Sequence, residues 1–258
     1  MINKWIRPLW LREKVNAKIV KNLKSISEND VPVEFNENIR MDLLMEDVGH
    51  RSIILNGFYD LPLTKTMLKL SAEGGTLVDV GANYGYFSCL WASQNPINKV
   101  YAFEASPLNI GPFKHNISKN KLGAKIFASQ IAMGKEKGSL KFDLAKEDEQ
   151  TGWGGFSIED KTGTIEVEVD TLDNFAALNK IDAIKVLKID TEGADTWVLY
   201  GAENLLKQKK IHHIFFEENP YRRQLLKISA TEAQQYLEKL NYTVKKTSQN
   251  DYYAYPQQ

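Results

Sequence analysis

The chain has 258 residues, 43% of them hydrophobic and 26% charged, with 33 basic and 33 acidic side chains and no net charge. Such a chain can bury the core of one large domain, or of one domain with an appendage, and its neutrality excludes a global field that would gather nucleic acid. Its one cysteine, Cys89, excludes an internal disulfide, reads as a small packing residue and suits a reducing cytoplasm.

Residues 1–24 hold seven basic side chains and one acid, which leaves the remainder with 26 basic and 32 acidic residues, a balance of minus six. Trp5, Ile6, Leu9 and Trp10 are expected to share one face of a short helix. Ringed by Lys and Arg, that face can lie on an anionic membrane surface; the alternative is a helix packed on the catalytic domain or on a partner subunit. No secretion signal or membrane-spanning stretch is expected, because residues 80–98 lack charge but are interrupted by Gly, Asn, Gln and Pro. Residues 31–35 and 51–55 read as short strands, the first demoted to an edge by Pro32. Asn56-Gly57 marks a turn, and residues 62–70 read as a helix stopped by Glu73-Gly74-Gly75. The expected division is a lead-in or cap over 1–70, covering one side of a ligand cleft, and a catalytic domain over 71–258.

Leu77 to Val80 is a short apolar run of the kind buried on both faces of a sheet. Gly81 and Gly85 then bracket a turn, and a helix starts at Tyr86. Strand, glycine turn and helix form the nucleotide edge of an α/β sheet, where bare backbone lets a ligand approach. The spacing Gly81, Asn83, Gly85 is not the G-x-G-x-x-G of a dinucleotide site. It argues against an NAD-dependent oxidoreductase and for a smaller nucleoside. Residues 99–103 form the next strand, ending on Glu104, a carboxylate suited to both hydroxyls of a ribose. With Asp79, this resembles the S-adenosylmethionine site of Rossmann-like methyltransferases.

A helix is expected from Ser106-Pro107 to about Asn120, then a strand over 125–128. Gln130 and Ile131 follow where such an enzyme holds the adenine. Residues 139–144 and 164–169 alternate and read as an antiparallel pair added to the sheet. Between them, Gln150-Thr151-Gly152-Trp153-Gly154-Gly155-Phe156-Ser157 is either a loop that closes over substrate or a hairpin tip whose aromatic packs down. Residues 184–189 form the fourth core strand, ending on Asp190; residues 211–217 form the fifth, ending on Glu217. A helix capped by Ser229 with Glu232 and a hairpin over 242–246 and 252–255 complete the chain.

The segments Val78-Asp79-Val80-Gly81-Ala82-Asn83-Tyr84-Gly85, Phe103-Glu104-Ala105-Ser106-Pro107, Val169-Asp170-Thr171-Leu172-Asp173 and Leu187-Lys188-Ile189-Asp190-Thr191-Glu192-Gly193 together resemble the FkbM family of S-adenosylmethionine-dependent methyltransferases. The resemblance runs from about residue 70 to about 218, with Ala105 standing where the family commonly has proline. It implies a Rossmann-like class I methyltransferase fold: α/β, with a mostly parallel seven-stranded-type sheet, helices on both faces and an added β-hairpin. It also implies S-adenosyl-L-methionine as cofactor and methylation of a hydroxyl on a sugar or small natural product. The expected donor-binding residues are Asp79, Gly81, Ala82, Asn83, Gly85, Phe87, Glu104, Ala105, Gln130, Ile131 and Asp190.

A sulfonium methyl is already activated, so the protein aligns an acceptor and helps remove a proton from a weakly nucleophilic alcohol. Asp190 is the first choice for base or orienting group, with Glu192 and Glu217 behind it; Asp190 can also cap the next helix. A divalent metal on Asp190 and Glu217 would serve the same end, but nothing in the sequence demands one, and none is expected. His212 and His213 open a strand and point to opposite faces, so they read as structural. Asn219-Pro220 is expected as a loop at the edge of the acceptor pocket. The whole reads as a cytoplasmic enzyme with no nucleic-acid partner. The rival reading is a non-catalytic donor-binding or membrane-docking protein of the same fold.

Overall fold

The computed structural model describes residues 3–19, 28–144, 151–158 and 163–257. Strand β3 (Thr76–Val80) is the middle of the parallel strands of the main sheet, flanked by β4 (Lys99–Phe103) on one side and β10 (Ile184–Ile189) on the other. β5 (Ile126–Ser129) extends the sheet beyond β4, and β11 (Ile211–Glu217) beyond β10, both in parallel. A final hairpin, β12 (Tyr242–Lys246) and β13 (Asp251–Pro256), adds β13 antiparallel to β11, giving the order β12-β13-β11-β10-β3-β4-β5. Chain direction through the sheet reverses between β3 and β10, and open α/β sheets form their ligand crevice at such a point.

Alternation along the strands feeds two cores. Leu77, Val100 and Val186 join Trp91 of α4 (Tyr86–Gln94) and Phe113 of α5 (Pro107–Lys119) on one face. Val78, Leu187 and Ile189 join Leu172 of α6 (Leu172–Leu178), Val198 of α7 (Asp195–Tyr200), Leu206 of α8 (Glu203–Lys207) and Leu237 of α10 (Glu232–Lys239) on the other. The seven-stranded, mostly parallel sheet with helices on both faces is as expected.

Ahead of the main sheet, α1 (Leu9–Ile19), a two-stranded sheet of β1 (Val31–Val33) and β2 (Asn36–Met41), α2 (Val48–Asn56) and α3 (Leu61–Ala72) pack onto the first face. Trp5, Ile6, Leu9 and Trp10 do not share a side. Ile6, Leu9, Arg12 and Asn16 turn inward, while Trp5 and Trp10 are 80% and 53% exposed. The inward stripe has helical 3–4 spacing, and its polar members are satisfied: Arg12 Nη1 donates to Glu34 Oε2 at 2.6 Å and Asn16 Nδ2 to the Leu55 carbonyl at 2.9 Å.

Residues 51–55, expected as a strand, lie in α2. Its ends decide this: Asp47 Oδ1 accepts from the Gly49 and His50 N–H groups at 2.9 and 3.1 Å, and Gly57, left-handed at φ 86°, donates to the Ile53 carbonyl at 2.7 Å. Two caps outweigh the β preference of Ile53 and Ile54.

The pair β7 (Gly138–Asp143) and β9 (Thr164–Asp170) is antiparallel as expected but does not extend the main sheet. With β6 (Ala132–Met133) and β8 (Gly155–Phe156) it makes a separate four-stranded sheet, order β6-β9-β7-β8. That sheet needs its own core, which Phe142, Phe156, Val167 and Val169 build with Leu226 and Ile228. Asn219-Pro220 opens a helix, α9 (Pro220–Leu225), because Asn219 Oδ1 accepts from the Arg222 N–H at 3.1 Å. Helix α10 starts later than its expected cap. Ser229 N–H donates to Glu232 Oε2 at 2.8 Å, but a left-handed Thr231 at φ 65° separates Ser229 from the first turn. Among the described residues no helix is long and apolar enough to cross a membrane.

Candidate functional site

The turn after β3 is wedged between the ends of β4 and β10. The Gly81 and Ala82 N–H groups donate to the Phe103 carbonyl at 2.9 and 3.1 Å. Gly81 is left-handed at φ 76°, and a Cβ there would sit 1.8 Å from the Asp190 carbonyl oxygen, so no other residue fits without moving backbone. Asn83, at φ 51°, directs its N–H to Glu104 Oε2 at 2.7 Å, and the Ser106 N–H reaches Oε1 at 2.9 Å. Burial pushes the Glu104 carboxyl up to about 7, opposed by those N–H bonds, by Asn109 and by Lys188. A carboxylate oxygen has two acceptor sites, so Glu104 can take further donors.

These groups border a cavity of about 710 Å³. Of the expected site residues, Gly81, Ala82, Asn83, Phe87, Glu104, Ala105, Ile131, Asp190, Glu192 and Glu217 line it together. Three do not. Asp79 lies under the floor, where the Ser88 hydroxyl donates to Oδ2 at 2.7 Å and Lys188 Nζ stands 3.3 Å from Oδ1. Gly85 sets the start of α4 against Phe113. Gln130 is exposed on the bend that follows β5, and its neighbour Ile131 is the one that lines the cavity.

The acidic side of the cavity is assembled from several elements. Asp190 follows β10, its N–H donating to the Val80 carbonyl at 3.0 Å. Glu192 is left-handed at φ 52° and accepts from Asn219 Nδ2 at 2.7 Å; burial first, then Asp190, pushes its carboxyl to about 7. Asp195, bonded by the Thr191 hydroxyl at 2.8 Å and the Glu217 N–H at 3.1 Å, is pushed to about 7 by burial. Glu217 is pushed to about 8 by burial and by Asp190. Left-handed non-glycine residues are strained and gather at functional sites; Asn83 and Glu192 fit that pattern. A second cavity of about 170 Å³, bounded by Asp60, Asp251 and Tyr252, shares Tyr59, Phe87, Lys188, Asp190 and Glu217 with the first. Asp190 therefore stands at the junction of two spaces.

Several bordering residues escaped the sequence reading. His50 takes the Leu44 N–H on Nδ1 at 3.3 Å, which leaves Nε2 to donate to Asn83 Oδ1 at 3.0 Å; burial holds its basicity down. Of the two readings of the glycine-rich loop, the packed-down aromatic is observed, with Phe156 5.8 Å from the Trp197 ring; Gly152 and Trp153 edge the cavity. Gly152 N–H donates to Asp47 Oδ2 at 3.3 Å and Arg222 Nη2 to the Trp153 carbonyl at 2.5 Å, while Gln150 lies outside the described residues. Lys188 was visible as one of two lysines in a core strand, and unlike Lys185, which reaches Glu73, it is buried. His213 meets the Tyr253 hydroxyl at 2.7 Å, and neither it nor His212 borders either of these two cavities. Among the described residues no group of three or more His, Cys, Asp or Glu side chains could hold a metal ion.

A strand order that reverses beside a glycine turn, with a buried acid at the next strand end, defines a nucleoside-binding α/β protein. The methyltransferase FkbM domain matches residues 79–244, and the chain belongs to that family of S-adenosylmethionine-dependent methyltransferases. No curated protein matches it. Among solved structures it is similar to M. capricolum TrmK in complex with S-adenosylhomocysteine, at 15% identity over 75% of this chain and 66% of that one, with a TM-score of 0.43. It is similar also to a human methyltransferase 10 domain containing protein (9% identity, 97% and 96% of the two chains, TM-score 0.47) and to a precorrin-6y C5,15-methyltransferase from Geobacter metallireducens (12%, 75% and 88%, TM-score 0.43).

The cavity fits the family's cofactor, S-adenosylmethionine. Gly81 lets the turn close against the end of β10 at the cavity's edge, Glu104 keeps acceptor sites for ribose hydroxyls, and Phe103, Ile131 and Met133 offer an apolar wall for an adenine.

Proposed function

We propose that the protein transfers the methyl of S-adenosylmethionine to a hydroxyl of a sugar or small natural product. Gly81, Ala82, Asn83, Phe87, Glu104, Ala105 and Ile131 would hold the donor, with Asp79 and Gly85 shaping the turn from behind. The observation that carries the reading is the position of Asp190, at the junction of the 710 Å³ donor cavity and the 170 Å³ space beside it. The bound donor supplies an activated methyl group. Asp190 then orients the acceptor hydroxyl and takes up its proton as the new bond forms, the part a general base plays for a weak nucleophile. Glu192 and Glu217 stand behind Asp190 as further hydrogen-bonding groups for that hydroxyl, and Tyr59 offers a ring edge to the acceptor. Gly152 and Trp153 shield the donor from solvent.

The test is a screen of sugar and natural-product alcohols for a gain of one methyl mass, run with the Asp190→Asn variant beside the natural protein. Turnover should fall roughly 100-fold or more while S-adenosylhomocysteine affinity stays within a few-fold. Loss of affinity with normal residual turnover would make Asp190 structural. A cytoplasmic setting accords with Cys89, a lone buried thiol. Peripheral contact with a membrane is supported by the exposed Trp5 and Trp10, the latter with Lys14 over its ring; Trp5→Ala with Trp10→Ala should then lower sedimentation with anionic liposomes.

A further inference from the structure

Lys188 has had no part in the reaction so far, yet it stands at the centre of the site. Its side chain is 6% exposed, and its ammonium lies over the Phe87 ring at 5.6 Å. Three oxygens from three parts of the fold surround Nζ: Asp79 Oδ1 on β3 at 3.3 Å, the Gly81 carbonyl in the turn at 3.3 Å, and Asp190 Oδ2 beyond β10 at 3.5 Å. The ammonium, a donor only, hydrogen-bonds the Gly81 carbonyl and Asp190 Oδ2 and forms an ion pair with Asp79 Oδ1, a buried oxygen with no hydrogen bond of its own among the described residues. Strand register makes the arrangement obligatory, since Lys188 pairs with Asp79 across the parallel strands and their side chains share a face.

The surroundings of Asp190 explain why a cation is needed. It is faced by Glu192 from its own turn, Asp195 from α7, Glu217 from β11, and Asp60 and Tyr59 from the segment before α3. Asp251 of β13 adds its charge to the same space by way of Asp60 and Glu217, and Arg222 of α9 stands beyond Glu192. Glu104 faces Lys188 from the donor side. Like charges in a partly dry site drive a carboxylate toward its neutral form, and a neutral Asp190 cannot accept a proton. Among the described residues, Lys188 is the cation within 4.0 Å of it.

We infer that Lys188 is a positioning residue of the transfer site, its ammonium tying Asp190 to the donor turn and holding that carboxylate ionised for catalysis. This rests on the reading of Asp190 as the acceptor-side base. Burial alone would strip the proton from Lys188, but Asp79 and Asp190 together hold its basicity above that of a free lysine. The ammonium therefore keeps its charge throughout the working range of the enzyme.

The experiment compares the full-length protein with Lys188→Met and Lys188→Arg. Aspartate carboxyl groups are followed by carbon-13 NMR against pH, with Asp190→Asn assigning the signal, and kcat is measured against pH with an acceptor from the screen. In Lys188→Met the Asp190 signal should titrate about one to three pH units higher. The acid limb of kcat should move with it, lowering turnover at a pH below the new limb about tenfold per unit, and Lys188→Arg should restore both. If Lys188→Met does not fold, Asp79→Asn with Lys188→Met removes both buried charges and still leaves Asp190 without its ammonium. An Asp190 titration that does not move in a folded variant overturns the inference. A natural protein that binds no donor, or methylates no alcohol, overturns the proposed function instead, while the titration still decides the role of Lys188.

Discussion

Replacing Gly81 with alanine tests whether the turn after β3 is built around bare backbone. The added Cβ would lie 1.8 Å from the carbonyl oxygen of Asp190 and 2.8 Å from its carbonyl carbon, with φ at 76°. Neither obstacle is a side chain that can swing away. A non-glycine residue held left-handed costs about 1–3 kcal/mol, and forcing backbone apart costs a further ~1–3 kcal/mol. The expected loss is about 2–6 kcal/mol, or a melting temperature lower by roughly 5–20 °C for a chain of this size. Because the Asp190 carbonyl must retreat, affinity for S-adenosylhomocysteine should fall at least about tenfold. Gly111→Ala is the control: that glycine is inside α5 with nothing within 4 Å of a built Cβ, so alanine should stabilise by about 0.5–1 kcal/mol. Denaturant unfolding and calorimetry read both variants. A Gly81→Ala protein as stable and as tight-binding as the natural one would refute the reasoning.

Glu104→Ala removes the acceptor of the Asn83 and Ser106 N–H groups, so calorimetry should show S-adenosylhomocysteine binding weaker by about 10- to 100-fold; undiminished binding would contradict the donor assignment. Glu104, Glu192, Asp195 and Glu217 are all raised by burial, Glu217 from 4.5 to about 8. The folded donor-free protein then holds more protons than the unfolded chain across that interval, so stability is full near pH 4.5 and declines toward pH 8. Melts between pH 5 and 8.5 should show a falling midpoint, less steep in Glu217→Gln; a rising midpoint would be evidence against it. Asp47→Ala should cost about 1 kcal/mol through the lost cap of α2. It should also quicken hydrogen exchange at Gly152, whose N–H loses its acceptor, and exchange at the natural rate would dissociate the loop from that helix.

The strands around the crevice could be read from residues alone because both faces of β3 and β10 are covered, so Leu77–Val80 and 184–189 are apolar apart from Asp79 and Lys188 at the site and Lys185, which reaches out to Glu73. The glycine turn was equally plain, since the backbone angle at Gly81 leaves one residue type. What failed had competing local signals. Residues 51–55 carry β-branched side chains, and only the pairing of Asp47 with Gly57 at the two ends makes them helical. The 139–169 hairpin was seen, but its sheet was not, because β6 is two residues long and pairs with a strand more than thirty positions away. The polar stripe of α1 was hidden for another reason: Arg12 and Asn16 point inward to partners at Glu34 and Leu55 that no helical periodicity announces. At the site, single acids at strand ends were readable, whereas their convergence with Tyr59, Asp60 and Asp251 depends on how distant segments close over one rim.

Parallel strands bring only their finishing ends to that rim, but β13 runs the other way and brings its beginning. Asp251 and Tyr252 reach the smaller cavity by a tight reversal from β12, whereas the glycine turn belongs to a different part of the chain. The wall beside Asp190 can thus be rebuilt by exchanging a handful of residues around 247–251, with the donor's cradle left alone. Such a modular arrangement would let one scaffold diversify its clientele without relearning how to grip its coenzyme.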